Sequence, residues 1–122
     1  MRERFGDIFR RLRIASGQTL RSFCLLHELD PGNMSKLERG RLAPPESQDT
    51  LQSYALWLGL KEGANDWEAF FDCASAERGR VPEDLLKDEE LVDKLPVLFR
   101  TIRGIKANGE SLDELIEKIR RA

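Results

Sequence analysis

The sequence predicts an all-α chain: five helices in an N-terminal domain over residues 1–79, and a helical C-terminal extension over residues 80–122. Three observations predict it. Apolar residues recur at i, i+3, i+4 and i+7 through much of the chain, which is the spacing of one helix face. Gly and Pro mostly stand between those periodic segments and punctuate them. No segment alternates apolar and polar residues with the period of two that a strand needs. No internal repeat or low-complexity tract interrupts the pattern.

Phe5, Phe9 and Leu12 lie at i, i+4 and i+7, with Ile8 beside them, and predict a first helix that ends near Gly17. Arg10 and Arg11 occupy its outer face. Thr19 to Glu28 predicts a second helix, with Leu20, Phe23, Cys24 and His27 at helical spacing. Cys24 reads as a buried structural thiol and His27 as a helix-surface residue. The third helix is predicted from Asp30 to about Arg39. Asp30 is a good N-cap, because its carboxylate can accept from the free N–H groups of the first turn. Pro31 follows at the first helical position, where a missing N–H costs nothing. Gly40 stands where a helix end favours a left-handed residue.

Arg41-Leu42-Ala43-Pro44-Pro45 predicts an extended connector, since Pro-Pro cannot sit inside a helix. Glu46 to Leu60 predicts a fourth helix with Leu51, Tyr54, Ala55 and Leu58 on one face, bracketed by Gly59 and Gly63. Asn65 and Glu68 have the spacing of a capping box and open a fifth helix carrying Trp67, Phe70, Phe71 and Ala74, which stops near Gly79. In the extension, Pro82-Glu83-Asp84 starts a helical turn. Leu85, Leu86, Leu91, Val92 and Leu95 follow, and Pro96 is expected to limit or restart the helix, with Gly104 closing the next segment. Ser111-Leu112-Asp113-Glu114 has the spacing of another capping box, ahead of a last helix with Leu112, Leu115, Ile116 and Ile119 on one face.

The chain has 122 residues, 40% of them hydrophobic and 34% charged, which is a balance that supports a folded core. No apolar run approaches the ~20 residues of a membrane span, so no membrane partner is expected. The segment MRERFGDIFRRLR lacks the apolar block of an export signal, and there are only two cysteines. A cytoplasmic location is therefore expected. The net charge of −2 hides an asymmetry. Residues 1–45 carry nine Lys/Arg against five Asp/Glu, net +4. Residues 46–122 carry eleven against seventeen, net −6. A basic part that faces a polyanion and a part that faces something else is the physical reading.

Enzyme chemistry finds little support. One histidine and two cysteines without paired spacing do not make a metal site. No nucleophile elbow or phosphate loop surrounds a Ser or Cys. No cofactor is implied, and the chain reads as non-enzymatic. The third helix points elsewhere. Met34 and Leu37 give it a thin apolar stripe, and Asn33, Ser35, Lys36, Arg39 and then Arg41 fill the other faces. Such a helix docks on a core and turns hydrogen-bond donors outward, as a DNA-recognition helix does.

Thr19-Leu20, Phe23-Cys24, Leu29-Asp30, Met34-Ser35-Lys36-Leu37-Glu38-Arg39-Gly40 and Pro44-Pro45 together resemble the helix-turn-helix of the lambda-repressor-like (XRE) DNA-binding family. The likeness covers roughly residues 5–60, and its most specific part is the run SKLERG followed by proline. It implies a five-helix lambda-repressor-like domain and a helix 30–40 in the major groove of double-stranded DNA. It also implies base readout by Gly32, Asn33 and Lys36. Pro31 and Gly32 offer no side-chain donor, so Gly32 would act by close backbone approach. Asn33 can pair bidentately with adenine, and Lys36 can donate to guanine. Thr19, Arg21, Ser35, Arg39 and Arg41 would meet phosphates. Related domains place an Arg and a Glu where this chain has Arg13 and Glu38, which implies an ion pair between its first and third helices. The family usually has Gly where this chain has Glu28, so Glu28 must take a positive φ or a different turn, at about 1 kcal/mol.

The resemblance implies transcription regulation by a homodimeric repressor on a palindromic operator. One such domain buries only ~600–1,000 Å² on DNA, so a second half-site is expected. Leu91, Leu95, Leu98, Phe99, Ile102, Leu112, Leu115, Ile116 and Ile119 are the candidates for a dimer or partner contact. A two-fold dimer would set the recognition helices ~34 Å apart or a multiple of it. The alternative is an antitoxin that covers a toxin with its C-terminal region, or a repressor inactivated by a dedicated metallopeptidase that cuts there. A protein-interaction module that does not bind DNA would require the basic face to be incidental.

Overall fold

A computed structural model describes residues 3–122, and among them it contains eight α-helices and no strand. The chain is all-α. It divides into two compact units, Met1–Pro82 and Glu83–Ala122.

The first unit is built on α1 (Phe5–Ala15). Its apolar side chains Phe5, Ile8, Phe9 and Leu12 are all buried, as the i, i+4, i+7 spacing dictates. Asp7 accepts from the Arg4 N–H at 3.0 Å and holds the first turn. The helix packs on α3 (Pro31–Glu38) and on α5 (Asn65–Glu77). A chain of rings carries the packing outward. Phe5 lies 4.7 Å from Phe70 of α5, and Phe9 meets Phe23 of α2 (Leu20–His27) edge-on at 5.5 Å. Tyr54 of α4 (Gln48–Trp57) meets Phe9 edge-on at 5.6 Å. Aromatic pairs at these separations add about 0.5–1.5 kcal/mol each beyond their burial. Leu37, Leu51 and Leu58 complete the core with Met34, Ala55, Leu60 and Ala74.

Two features tie α1 to α3. Arg13 and Glu38 form a bidentate pair, Nε to Oε2 at 2.7 Å and Nη2 to Oε1 at 2.9 Å, and both residues are buried at 8% and 9% exposure. Arg13 Nη1 also donates to the Gln18 carbonyl at 2.9 Å. Through its hydrogen bonds, Glu38 holds the Arg13 guanidinium above its usual pKa, against the opposing effect of burial. The second feature is Gly6. A Cβ there would meet the Leu37 and Glu38 carbonyl oxygens, the latter at 2.7 Å. Glycine is needed because the obstacle is backbone, which cannot rotate away.

The connector from Arg41 to Ser47 is pinned by Arg78, whose Nε donates to the Pro44 carbonyl at 2.6 Å and whose Nη1 meets Glu46 at 3.0 Å. Ser47 caps α4 by accepting from the Thr50 N–H. The capping box expected at Asn65 does not form. Ala64 is the N-cap, without a side-chain bond, and Asn65 is already helical. The acids Asp66 and Glu68 in the first turn face the positive end of the helix dipole instead.

The second unit holds α6 (Glu83–Leu86), α7 (Glu89–Ala107) and α8 (Leu112–Arg121). Asp88 caps α7 by accepting from the Leu91 N–H at 3.1 Å, and Ser111 caps α8 by accepting from Asp113. Pro96 lies inside α7 and neither limits nor restarts it, and Gly104 does not close it. A proline removes one donor and crowds one carbonyl, which is a local cost. The apolar stripe keeps the same phase on both sides of it, so the helix gains more by continuing. All residues of Glu83–Ala122 are described, and none of them is buried.

The contacts between α1 and α3 generate two expected outcomes. Gly6→Ala should lower unfolding stability by about 1–3 kcal/mol in denaturant titration, because α3 must move. Glu38→Ala should cost about 3–5 kcal/mol, since it strands a buried guanidinium. Glu46→Ala, at an exposed pair, should cost only about 0–1 kcal/mol.

Candidate nucleic-acid interface

The candidate interface is α2, a tight turn and α3. Thr19 is the N-cap of α2, and its Oγ1 accepts from the Ser22 N–H at 3.0 Å. Asp30 is the N-cap of α3, and its carboxylate accepts from the Asn33 N–H at 3.0 Å, with Pro31 at the first helical position. At the other end Gly40 has φ 74°. The Gly40 N–H donates to Leu37 at 3.1 Å and the Arg41 N–H to Lys36 at 2.8 Å. This paired pattern ends the helix and satisfies two carbonyls that it would otherwise leave free. Both ends of α3 are thus fixed by local chemistry.

The turn between the helices rests on Glu28, which has φ 55° and ψ 45°. Among the described residues it is the only non-glycine with positive φ. The Leu29 N–H donates to the Cys24 carbonyl at 2.8 Å across it. The chain therefore keeps the left-handed turn with a residue that pays for it in Cβ crowding.

Met34 and Leu37 of α3 are buried, and Glu38 is tied to Arg13. This orientation leaves Gly32, Asn33, Lys36 and Arg39 exposed, with Ser35 half-buried. Thr19, Arg21 and Arg41 are exposed as well. Among the described residues, the side chains of Arg21, Asn33, Lys36 and Arg41 have no hydrogen-bond or ion-pair partner. Arg39 Nε donates to the Ser35 carbonyl at 3.3 Å, along its own helix. The acids of this stretch are three. Glu38 is spent on Arg13, Asp30 on the cap, and Glu28 sits exposed at the turn. The exposed donors of Arg21, Lys36, Arg39 and Arg41 thus face two exposed carboxylates. The surface can bind an anion and offer an amide and an ammonium to base edges.

Cys24 is buried, and burial above all pushes its thiol pKa up, with Glu38 and Asp30 adding to it. It is a core residue in its thiol form. His27 is not a plain surface residue. It is half-buried, stacked on Trp57 at 4.2 Å and 11°, and edge-on to Phe23 at 4.7 Å. Trp57 was not among the expected face of α4, because it stands one step outside the Leu51–Ala55–Leu58 stripe. Leu25 is 82% exposed, and Leu26 is also exposed. Their place in α2, away from Phe23 and Cys24, was legible from helical spacing.

Among the described residues no helix is long and apolar enough to cross a membrane, and no cluster of His, Cys, Asp and Glu could hold a metal ion. The chain matches no family model, no curated protein and no solved structure.

The turn gives an expected outcome. Glu28→Gly relieves the Cβ crowding at positive φ and should raise stability by about 1 kcal/mol, read as a higher denaturation midpoint at unchanged slope. A fall in midpoint would show that the Glu28 side chain contributes more than the strain removes.

Proposed function

We propose that this chain is a lambda-repressor-like, sequence-specific DNA-binding regulator of transcription, acting in the cytoplasm as a homodimeric repressor on a palindromic operator. The observation that carries the reading is the exposed face of α3. Its two ends are capped, its inner face is locked to α1 through Arg13 and Glu38, and Asn33 and Lys36 are left outward without partners. A preorganised helix with free donors suits the major groove, because little freedom is lost on binding. In this reading the five helices of the first unit form the DNA-binding domain. Gly32, Asn33 and Lys36 read base edges. Thr19, Arg21, Ser35, Arg39 and Arg41 hold phosphates.

The second unit supports the need for a partner. Forty residues without one buried side chain do not make an independently stable body. In the homodimer reading a second copy covers them and supplies the second half-site. The same exposed apolar surface also suits an antitoxin that covers a toxin, or a repressor whose tail a metallopeptidase cuts.

The test is selection of a preferred site from randomised duplex DNA, followed by binding titrations in a salt series. Asn33→Ala and Lys36→Ala should each lose about 1–3 kcal/mol of discrimination at particular base pairs. Arg21→Ala and Arg41→Ala should weaken all sequences alike, and each should reduce the salt slope by about one. Absence of any selected site, with no salt-dependent duplex binding, would overturn the reading.

A further inference from the structure

The helix α7 carries a charge pattern of which its own fold uses only the Asp88 cap and the end-turn charges. From Asp88 to Asp93 it has four acids and no base: Asp88, Glu89, Glu90 and Asp93. From Lys94 to Ala107 it has four bases and no acid: Lys94, Arg100, Arg103 and Lys106. Acids near an N-terminus and bases near a C-terminus compensate the helix dipole, but that effect fades within the first and last turn. Lys94, Arg100 and Arg103 lie before the last turn. Among the described residues, none of these eight side chains makes an ion pair.

An apolar stripe runs between the two blocks. Leu95 and Ile102 are half-buried, while Leu98 and Phe99 at the centre are 41% and 47% exposed. Val92 is exposed and Ile105 half-buried further out. About the Leu98–Phe99 peptide the centre of the stripe is its own mirror image, Leu98 reflecting onto Phe99 and Leu95 onto Ile102, while the half-buried Leu91 reflects onto Lys106. A two-fold interface must be complementary to itself, and this mirror pattern meets that condition.

We infer that α7 pairs antiparallel with α7 of a second copy, across a two-fold axis beside Leu98 and Phe99. Glu90 and Asp93 of each helix then lie beside Lys106 and Arg103 of the other. Parallel pairing would set acids on acids and bases on bases, which is destabilising. The alternative means of holding so small a unit are missing from its sequence, which has no Cys or His between Glu83 and Ala122 to make a disulfide or a usual zinc site. The inference rests on the homodimer reading above and not on DNA binding.

The experiment is light scattering and disulfide trapping on the full chain, with circular dichroism as the folding control. The chain should be a dimer. Leu98→Glu with Phe99→Glu should weaken self-association by at least about a hundredfold, as loss of a central hot spot does. Helix content should be kept, since neither side chain is buried. Chains carrying Leu95→Cys, mixed with chains carrying Ile102→Cys, should form the mixed disulfide under mild oxidation. Neither variant alone should exceed the wild-type background from Cys24 and Cys73. A dimer that links Leu95→Cys to itself, or survives the double Glu variant, overturns the antiparallel seam and leaves the homodimer reading standing. A chain that stays monomeric at its highest soluble concentration overturns both. DNA titration of that monomer reports separately on the regulator reading.

Discussion

The crossing of α1 and α3 is the constraint on which the first unit depends. Arg13 and Glu38 meet there with two hydrogen bonds, and Gly6 lets the α3 carbonyls approach the α1 backbone. A buried ion pair is not in itself a large source of stability, because removing two charges from water costs several kcal/mol for each ion. Its effect is on geometry. Glu38 can satisfy both carboxylate oxygens only with α3 at one rotation and one height, so the pair selects a single pose. That pose turns Met34 and Leu37 inward and Asn33 and Lys36 outward. The exposed pair of Arg11 with Glu3 imposes no comparable restraint, since both partners remain hydrated.

The two units illustrate two ways of meeting the entropy cost of folding. In the first, four phenylalanines are fully buried and linked ring to ring with Tyr54, so α1, α2, α4 and α5 share one core. In the second, the helices are well capped, and α8 is strongly amphipathic, yet no side chain is buried. Caps contribute about 1 kcal/mol each and secure helix ends. They do not replace a core, whose large aliphatic residues contribute about 1.5–3 kcal/mol each. The apolar faces of α7 and α8 are left partly exposed.

The turn at Glu28 has a related logic. A residue held at positive φ persists only where its surroundings over-determine it. Here Cys24 and Phe23 fix the helix before it, the Asp30 cap fixes the helix after it, and the Leu29 N–H is tied back to Cys24. With both sides anchored, the turn closes through the left-handed conformation of Glu28 between them. The arrangement puts the strain next to the surface that the proposed function uses.

Much of this was legible in the sequence, because the signals involved act over four residues or fewer. Helical spacing gave the buried faces of α1 and α4, and Thr19, Asp30 and Ser111 marked helix starts, while the fourth helix, expected from Glu46, starts at Gln48 behind a Ser47 cap. Pro31 and Gly40 bounded α3. The tertiary structure alone decided the cases in which a local signal had a rival. Pro96 and Gly104 carry a propensity to end a helix, and the continuous stripe of α7 overrode it. Asn65 had the spacing of a cap, and the path of the chain made Ala64 the cap. Gly6 has a use only once α3 comes against it, and His27 looked like a surface residue until Trp57 lay over it. Sequence determines what a segment prefers by itself, because caps and periodicity are properties of neighbouring residues. Which preference survives is a matter of contacts between residues far apart in the chain, and those exist only once the helices have packed.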